Sequence, residues 1–420
     1  CGSCSLHELN AVSSEPAVPS SQFPVPSPHL YNPSDALGLM LGGGGARGAY
    51  QAGVLRGIAR KFPNLTFPIL AGISAGAVNT IHLAAHEGTL QQSATDLIDL
   101  WLDLTPERVY DVGSRPLLWN LFNWGARLMS GGIQAGREPM RGMVETEPLR
   151  KYLNGVLTRD PDGTLPGIRH NLIRGTLKAV GLSATSYTTG QSVTWIQGLD
   201  VDLWQRPSRR TEFANLTVEH VMASSALPML FPAVKVGNEW FGDGGIRLTA
   251  PLSPVLHLGA SRVLTISTKY AKSHEEAATP ATTGYPPPAQ VLGTLYNSVF
   301  LDLIDEDILR LRKVNSILEG VPVGQRQGMR IVDILVLRPS VDLGRLAGRF
   351  EPRLPGFFRY LTRGLGTKRT ASPDIISLIL FQKDYLKALI DLGEEDAVAQ
   401  SDRIEAFLAR EVGTTRKTWS

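Results

Sequence analysis

Cysteine is nearly missing from this chain of 420 residues: Cys1 and Cys4 are the two, and both precede its body. The fold therefore uses no disulfide, no structural zinc site and no cysteine nucleophile. Long apolar runs are also missing. None approaches the ~18 residues that a membrane-spanning helix requires, so the sequence predicts no bilayer span. Charge of one sign is not in excess either, since the net charge is +3, too small to argue for a nucleic-acid partner. Between Asp35 and Glu87 there is no acidic residue at all, a gap that bears on the first motif.

That motif is Gly43-Gly44-Gly45-Ala46-Arg47-Gly48, which spells G-x-G-x-x-G. It follows an apolar strand at Leu37–Leu41 and precedes a helix with Tyr50, Val54 and Ile58 on one face. The spacing is also the dinucleotide fingerprint, but that use needs an acid about 20 positions on to hold a ribose hydroxyl. The acidic gap argues against it. Four consecutive glycines, Gly42 to Gly45, suit another task. They let the backbone turn several N–H groups into one cavity, unshielded by side chains. Such a cradle is what an oxyanion hole requires in acyl transfer.

The second motif occupies the place where the acid would sit. Gly72-Ile73-Ser74-Ala75-Gly76 matches G-x-S-x-G, a serine on a sharp strand-to-helix turn. Phe67, Ile69, Leu70 and Ala71 form the buried strand before it, and the helix after it runs to Glu87 without proline. Gly72 and Gly76 allow a strained backbone and a close strand–helix approach. Ser74 then stands at a helix N-terminus, where developing negative charge is favoured.

A serine hydroxyl needs a base. Eight histidines are present. His7 and His29 lie in the N-terminal segment, and His82 and His86 sit more than one turn along the helix after Ser74. His170, His220 and His274 fall in no catalytic pattern. His257 follows Asp243 in the order a Ser-His-Asp hydrolase uses, so a triad through His257 is one alternative. Asp243-Gly244-Gly245 offers another: a carboxylate on a glycine-flanked turn approaches the serine directly, and exclusion of solvent raises its pKa.

The remaining chain reads as follows. Residues 1–34, rich in Pro and Ser, form a flexible tether. Residues 35–270 form an α/β catalytic domain with an insertion at about 89–165. Residues 271–420 form an extension of helices and a strand packed on it, with one long amphipathic helix over 289–319. Hairpins are expected at 176–197 and 233–241. The aromatic stretch 116–124 is either a cap, a lipid-facing surface or a helix packed on the core. Residues 345–369 interleave basic and aromatic side chains, either as a solvated loop whose aromatics pack on the body or as a surface that suits an anionic bilayer. Arg47 steadies the glycine loop, meets an anionic head group, or pairs with an acid.

Together, the glycine loop, the Ser74 pentapeptide and Asp243-Gly244-Gly245 resemble the motifs of the patatin-like phospholipase family. Ala223-Ser224-Ser225-Ala226-Leu227-Pro228 is similar to the family's approach to its aspartate, and Leu392-Gly393 with Asp396-Ala397 is similar to bacterial members. The resemblance implies a three-layer α/β/α fold with a mainly parallel sheet. It implies a Ser74–Asp243 dyad, an oxyanion hole at Gly43, Gly44 and Gly45, and support from Arg47, Gly48, Gly72, Gly76, Gly244 and Gly245. No metal or other cofactor is expected. The implied activity is hydrolysis of phospholipid or other acyl-ester lipid at a membrane surface, of phospholipase A or lysophospholipase type, with no nucleic acid involved. A non-catalytic lipid-binding protein on the same fold is the rival from another class. A chain opening Cys1-Gly2-Ser3 before a polar tether resembles a bacterial lipoprotein anchored through Cys1. A truncated reading frame and a cytoplasmic protein are the alternatives.

Overall fold

The computed structural model describes residues 36–111, 142–280, 284–350 and 374–409. The tether, Cys1, the aromatic stretch 116–124 and the basic segment beyond Phe350 lie outside the described residues.

Ten strands form one sheet: β1 Leu37–Leu41, β2 Ile69–Ile73, β3 Ala179–Ser186, β4 Ser192–Gly198, β5 Gln205–Arg206, β6 Arg209–Phe213, β7 Val234–Val236, β8 Glu239–Asp243, β9 Arg262–Ile266 and β10 Asp333–Leu337. Its order is β10-β9-β1-β2-β3-β4-β6-β5, with β8 also paired to β3 and β7 to β8. The run from β10 to β3 is wholly parallel, and the antiparallel pairs lie beyond it, at β3–β4, β3–β8, β5–β6 and β7–β8. Both hairpins read from the sequence are present.

Helices cover the two faces. Before β3 come α1 Gly48–Lys61, α2 Ala75–Ala85, α3 Leu90–Asp103, α4 Pro106–Val109, α5 Glu147–Val156 and α6 Pro166–Arg174. After β6 come α7 Val218–Ser224, α8 Ser253–His257, α9 His274–Ala278, α10 Pro288–Phe300, α11 Leu303–Glu319 and α12 Leu343–Gly348. The last described are α13 Asp374–Ile379, α14 Lys383–Ala399 and α15 Ser401–Leu408.

The strands alternate with a period of two, and that period sorts their side chains into two cores. Leu37, Leu39 and Leu41 of β1 enter one core with α1, α2, α3 and α14, while Met40 enters the other with α8 and α11. Leu70 and Ile69 of β2 divide the same way, as do Leu264 and Val263 of β9. A sheet buried on both faces between helical layers is a three-layer α/β/α fold.

The segment beyond 270 enters both layers. β10 pairs with β9 from Asp333↔Arg262 to Leu337↔Ile266. α14 crosses α1 so closely that a Cβ at Gly53 would stand 2.0 Å from the Ile390 carbonyl oxygen, and one at Gly393 2.2 Å from that of Tyr50. Tyr50 Oη donates to Asp396 Oδ2 at 3.0 Å across the same contact. The insertion is also core in part, since α3 buries Leu97 and Trp101.

One expectation is corrected. The single helix over 289–319 is broken at Leu301–Asp302 into α10 and α11, because Phe300 docks on Gly245 while Ile304 and Ile308 join the second core. In the same region α9 forms behind a Ser273–Glu276 capping box. Strands β5 and β6 and helix α6 have no counterpart in the sequence reading.

Gly53→Val should lower stability by about 2 kcal/mol or more, because the α1–α14 contact has no room for a side chain. Gly155→Ala should raise it by up to about 1 kcal/mol, since a Cβ there meets nothing within 4 Å and alanine favours the helix. Urea unfolding of both variants checks the pair.

Candidate active site

The register brings the reactive segments to one sheet edge. Leu41 stands opposite Gly72 on one side and Ile266 on the other, so the loop after β1 and the turn after β2 emerge together. Ile73 pairs with Ser183 and Ala184 with Asp243, which sets the end of β8 at the same level.

Ser74 has φ 56° and ψ −127°, is 2% exposed, and caps α2. A non-glycine residue in this region is strained by about 1–3 kcal/mol. The flanking glycines are sterically required. A Cβ at Gly72 would lie 2.4 Å from Thr80 Oγ1, and one at Gly76 would lie 2.1 Å from the Leu41 carbonyl oxygen.

The glycine loop lies directly against this serine. A Cβ on Gly43 would stand 3.1 Å from Ser74 Cβ and 3.6 Å from its Oγ. Gly44 (φ 150°) and Gly45 (φ 54°) adopt conformations that L side chains rarely take. Thr268 Oγ1 donates to the Gly43 carbonyl at 2.8 Å, and Gln51 Nε2 donates to the Gly42 carbonyl at 2.9 Å. Behind Gln51 runs a buried chain: Asn79 Nδ2 donates to Gln51 Oε1 at 2.9 Å, and Trp101 Nε1 donates to Asn79 Oδ1 at 2.7 Å. With the carbonyls taken up, the amides of Gly43, Gly44 and Gly45 donate to no protein acceptor among the described residues. An unclaimed row of N–H groups beside a serine is able to receive an oxyanion.

Arg47 is buried and pairs with an acid. Its Nη2 meets Asp374 Oδ1 at 2.7 Å and its Nε donates to Ser377 Oγ at 2.7 Å, which ties the loop to α13. α13 presses on the loop directly, since a Cβ at Gly45 would lie 2.1 Å from the Leu378 carbonyl oxygen. Gly48 is confined in the same way, by the Trp101 ring and Ala75.

Asp243 is fully buried. Its Oδ1 accepts from the Gly245 N–H at 2.9 Å, and Oδ2 has no hydrogen-bond partner among the described residues. Burial pushes the carboxyl up to about 7, against the Ser74 hydroxyl and the Gly245 N–H, which favour the charged form. The Ser74 hydroxyl is thus near enough to act on the carboxyl, although no bond of full geometry reaches Oδ2. Catalytic hydrogen bonds without substrate are commonly this loose. The phenols of Tyr187 and Tyr296 face the carboxyl and are raised by burial and then by its charge, Tyr296 to about 12. Gly244 and Gly245 have no space for side chains, against the Ser183 carbonyl and the Phe300 ring. A cavity of about 30 Å³ opens beside Gly43, lined by Ile73, Leu248, Val299, Phe300 and Ile304.

His257, His220 and His82 are engaged elsewhere. His257 ends α8, which leads through Gly259 and Ala260 to the N-terminal edge of the parallel strands, opposite Ser74. Its ring stacks on Trp204 at 4.4 Å. Partial burial and the guanidinium groups of Arg206, Arg330 and Arg209 lower its pKa. His220 packs edge-on against Trp195, and His82 meets the Ser93 carbonyl at 3.0 Å. No grouping of three or more His, Cys, Asp or Glu with metal-binding geometry occurs among the described residues.

Sequence reasoning did not find Gln51, Asn79, Thr268, Tyr187 or Tyr296. Gln51 and Asn79 carried a signal, as the lone amides within the first turns of the helices just after the two motifs.

The family model for patatin-like phospholipase matches residues 39–256, a little over half of the chain. The chain belongs to the patatin-like phospholipase family. Lipid acyl hydrolysis is the activity that membership supports in general terms. Among solved structures, it is similar to VipD from Legionella pneumophila, with 14% identity, 85% of this chain and 67% of that chain covered, and a TM-score of 0.35. It is similar to human GIVD cytosolic phospholipase A2 at 11% identity, with 90% and 60% covered and a TM-score of 0.45. ExoU, in its complex with SpcU from Pseudomonas aeruginosa, matches at 13% identity, with 89% and 76% covered and a TM-score of 0.24. The chain spans about three-fifths of the human enzyme's length. No curated protein matches the chain.

The buried carboxyl carries a stability signature. Its pKa is about 7 folded against 3.8 for the free group, so the native state binds the extra proton between those values. Stability from this group is full below pH 3.8 and is lost as pH rises through about 7. Asp243→Asn should therefore melt higher than wild type at pH 8 and close to it at pH 5. Thermal melts across that range check the sign.

Proposed function

We propose that this protein is a lipid acyl hydrolase of phospholipase A or lysophospholipase type, cleaving fatty-acyl esters through an acyl-Ser74 intermediate. One juxtaposition carries the reading: a strained serine stands between a buried carboxyl with a free oxygen and a row of unclaimed amides. Asp243 Oδ2 takes the Ser74 proton as Oγ attacks the ester carbonyl. The oxyanion rests on the amides of Gly43, Gly44 and Gly45. Collapse of the tetrahedral intermediate breaks the bond to the leaving alcohol, which receives the proton from Asp243. Water, deprotonated by the same carboxylate, then attacks the acyl-serine; the Oγ–acyl bond breaks, Ser74 Oγ takes the proton back from Asp243, and the fatty acid is released.

Several features support these roles. A carboxyl with a pKa of about 7 is a far better base near neutral pH than a solvated aspartate. With Oδ1 held by Gly245, Oδ2 is the oxygen open to a proton. The surface beside Gly43 is lined mainly by apolar side chains, Ile73, Leu248, Val299, Phe300 and Ile304. Phospholipid esters reside in bilayers, so the enzyme works peripherally at a membrane surface. No helix among the described residues is long and apolar enough to cross one.

Ser74→Ala and Asp243→Asn should each lower kcat/KM on a soluble p-nitrophenyl ester by about 10³-fold or more. His257→Ala should keep it within about twofold of wild type, since His257 is far from the reacting atoms. The wild-type profile should rise with pH through an acid limb near 7, as Asp243 must be ionised to act. Loss of activity in His257→Ala with retention in Asp243→Asn would replace the dyad by a triad. A screen across phospholipid, lysophospholipid and neutral-lipid substrates then assigns the lipid class.

A further inference from the structure

Ser74 holds a backbone conformation that costs energy, and its peptide groups reveal what keeps it there. Its N–H donates to Ser224 Oγ at 3.0 Å. Its carbonyl accepts from Ala77 N–H at 2.8 Å and from Ser225 Oγ at 3.0 Å. One residue further on, the Ala226 carbonyl accepts the backbone N–H of Asp243 at 2.9 Å. Three consecutive residues at the end of α7 thus grip both Ser74 and Asp243, which are otherwise remote in the chain.

The Ser224 hydroxyl is saturated by this arrangement. It accepts from Ser74 and donates to the Ser183 carbonyl at 2.6 Å. Ser183 lies on β3, which pairs with β2 as far as Ser183 and, along the same edge, with β8 from Ala184 onward, while β4 takes the opposite edge. The hydroxyl therefore references the serine turn to the strand that also carries the aspartate's strand. We infer that Ser224 is a positioning residue that, with Ser225 and the Ala226 carbonyl, sets the spacing between Ser74 and Asp243. This inference rests on the reading of Ser74 as nucleophile and Asp243 as base.

The two serines differ in a way that predicts a ranking. Without Ser224 the buried Ser74 N–H has no partner, and the turn relaxes to find one. Without Ser225 the Ser74 carbonyl keeps the Ala77 N–H. Leaving a buried donor unmade is the costlier change.

The test measures the rate at which a fluorophosphonate labels Ser74, with mass spectrometry identifying the modified residue. It is run on wild type, Ser224→Ala and Ser225→Ala well below their melting temperatures. Ser224→Ala should label about 10- to 100-fold more slowly and Ser225→Ala about threefold more slowly. On a soluble ester the loss should fall on kcat, with KM kept within about twofold, because the binding surface is untouched. The acid limb of Ser224→Ala should also move to higher pH, since a retreating Ser74 hydroxyl no longer favours ionised Asp243. The phenols facing that carboxyl, Tyr187 and Tyr296, are held neutral, so the limb reports Asp243. A purely structural role would lower the melting temperature and leave the limb in place. Wild-type labelling by both variants would overturn the inference and leave the dyad standing. If Ser224→Ala does not fold, a wild-type rate in Ser225→Ala overturns it alone. Absence of label on wild-type Ser74 would sink the nucleophile reading and this inference with it.

Discussion

The first turn of α2 lies against the end of β1 so tightly that the Leu41 carbonyl occupies the space of any side chain at position 76. That contact fixes the angle at which the chain leaves β2, and with it the strained backbone of Ser74. Because Leu41 pairs with both Gly72 and Ile266, the same contact aligns the glycine loop and the serine turn. Everything built at this edge takes its position from there. Gly72 and Gly76 are needed for their missing atoms, since a Cβ at either would overlap neighbouring atoms, and Gly43 leaves the serine tight against the loop.

The second constraint is a carboxyl kept away from water. Burying a charge without full compensation raises the pKa and costs stability at neutral pH. Here the compensation is partial, one N–H on Oδ1 and a loosely placed hydroxyl. The resulting carboxyl has a pKa near neutrality, and the remainder of the molecule bears the cost of its burial. The two buried cores and the glycine-lined crossing of α1 and α14 supply the rigidity that such a site requires.

Some of this was legible in the amino-acid order. Leu37–Leu41, the Ser74 turn and both hairpins are local patterns, and each appeared where alternation and glycine placement indicated. The break between α10 and α11 was not legible, because the amphipathic pattern continues through Leu301 while the two halves pack on different surfaces. The short strands β5 and β6 leave little trace in the sequence, because a two-residue and a half-exposed strand carry little alternation. The role of Arg47 is not a local property, since its partner Asp374 lies 327 residues away.

The sequence by itself determined which groups are available for chemistry. Glycines at positions 43–45, 72 and 76, the serine between the last two and the aspartate before Gly244-Gly245 are statements about steric need and reactivity, readable without a fold. Tertiary structure alone decided how they are used. The basicity of Asp243 comes from burial by distant segments, and the separation of His257 from Ser74 comes from the direction of the sheet. The hold on the serine turn comes from Ser224 and Ser225, about 150 residues on. Burial, register and long-range hydrogen bonds arise only once the chain has packed, so no local pattern of residues can encode them.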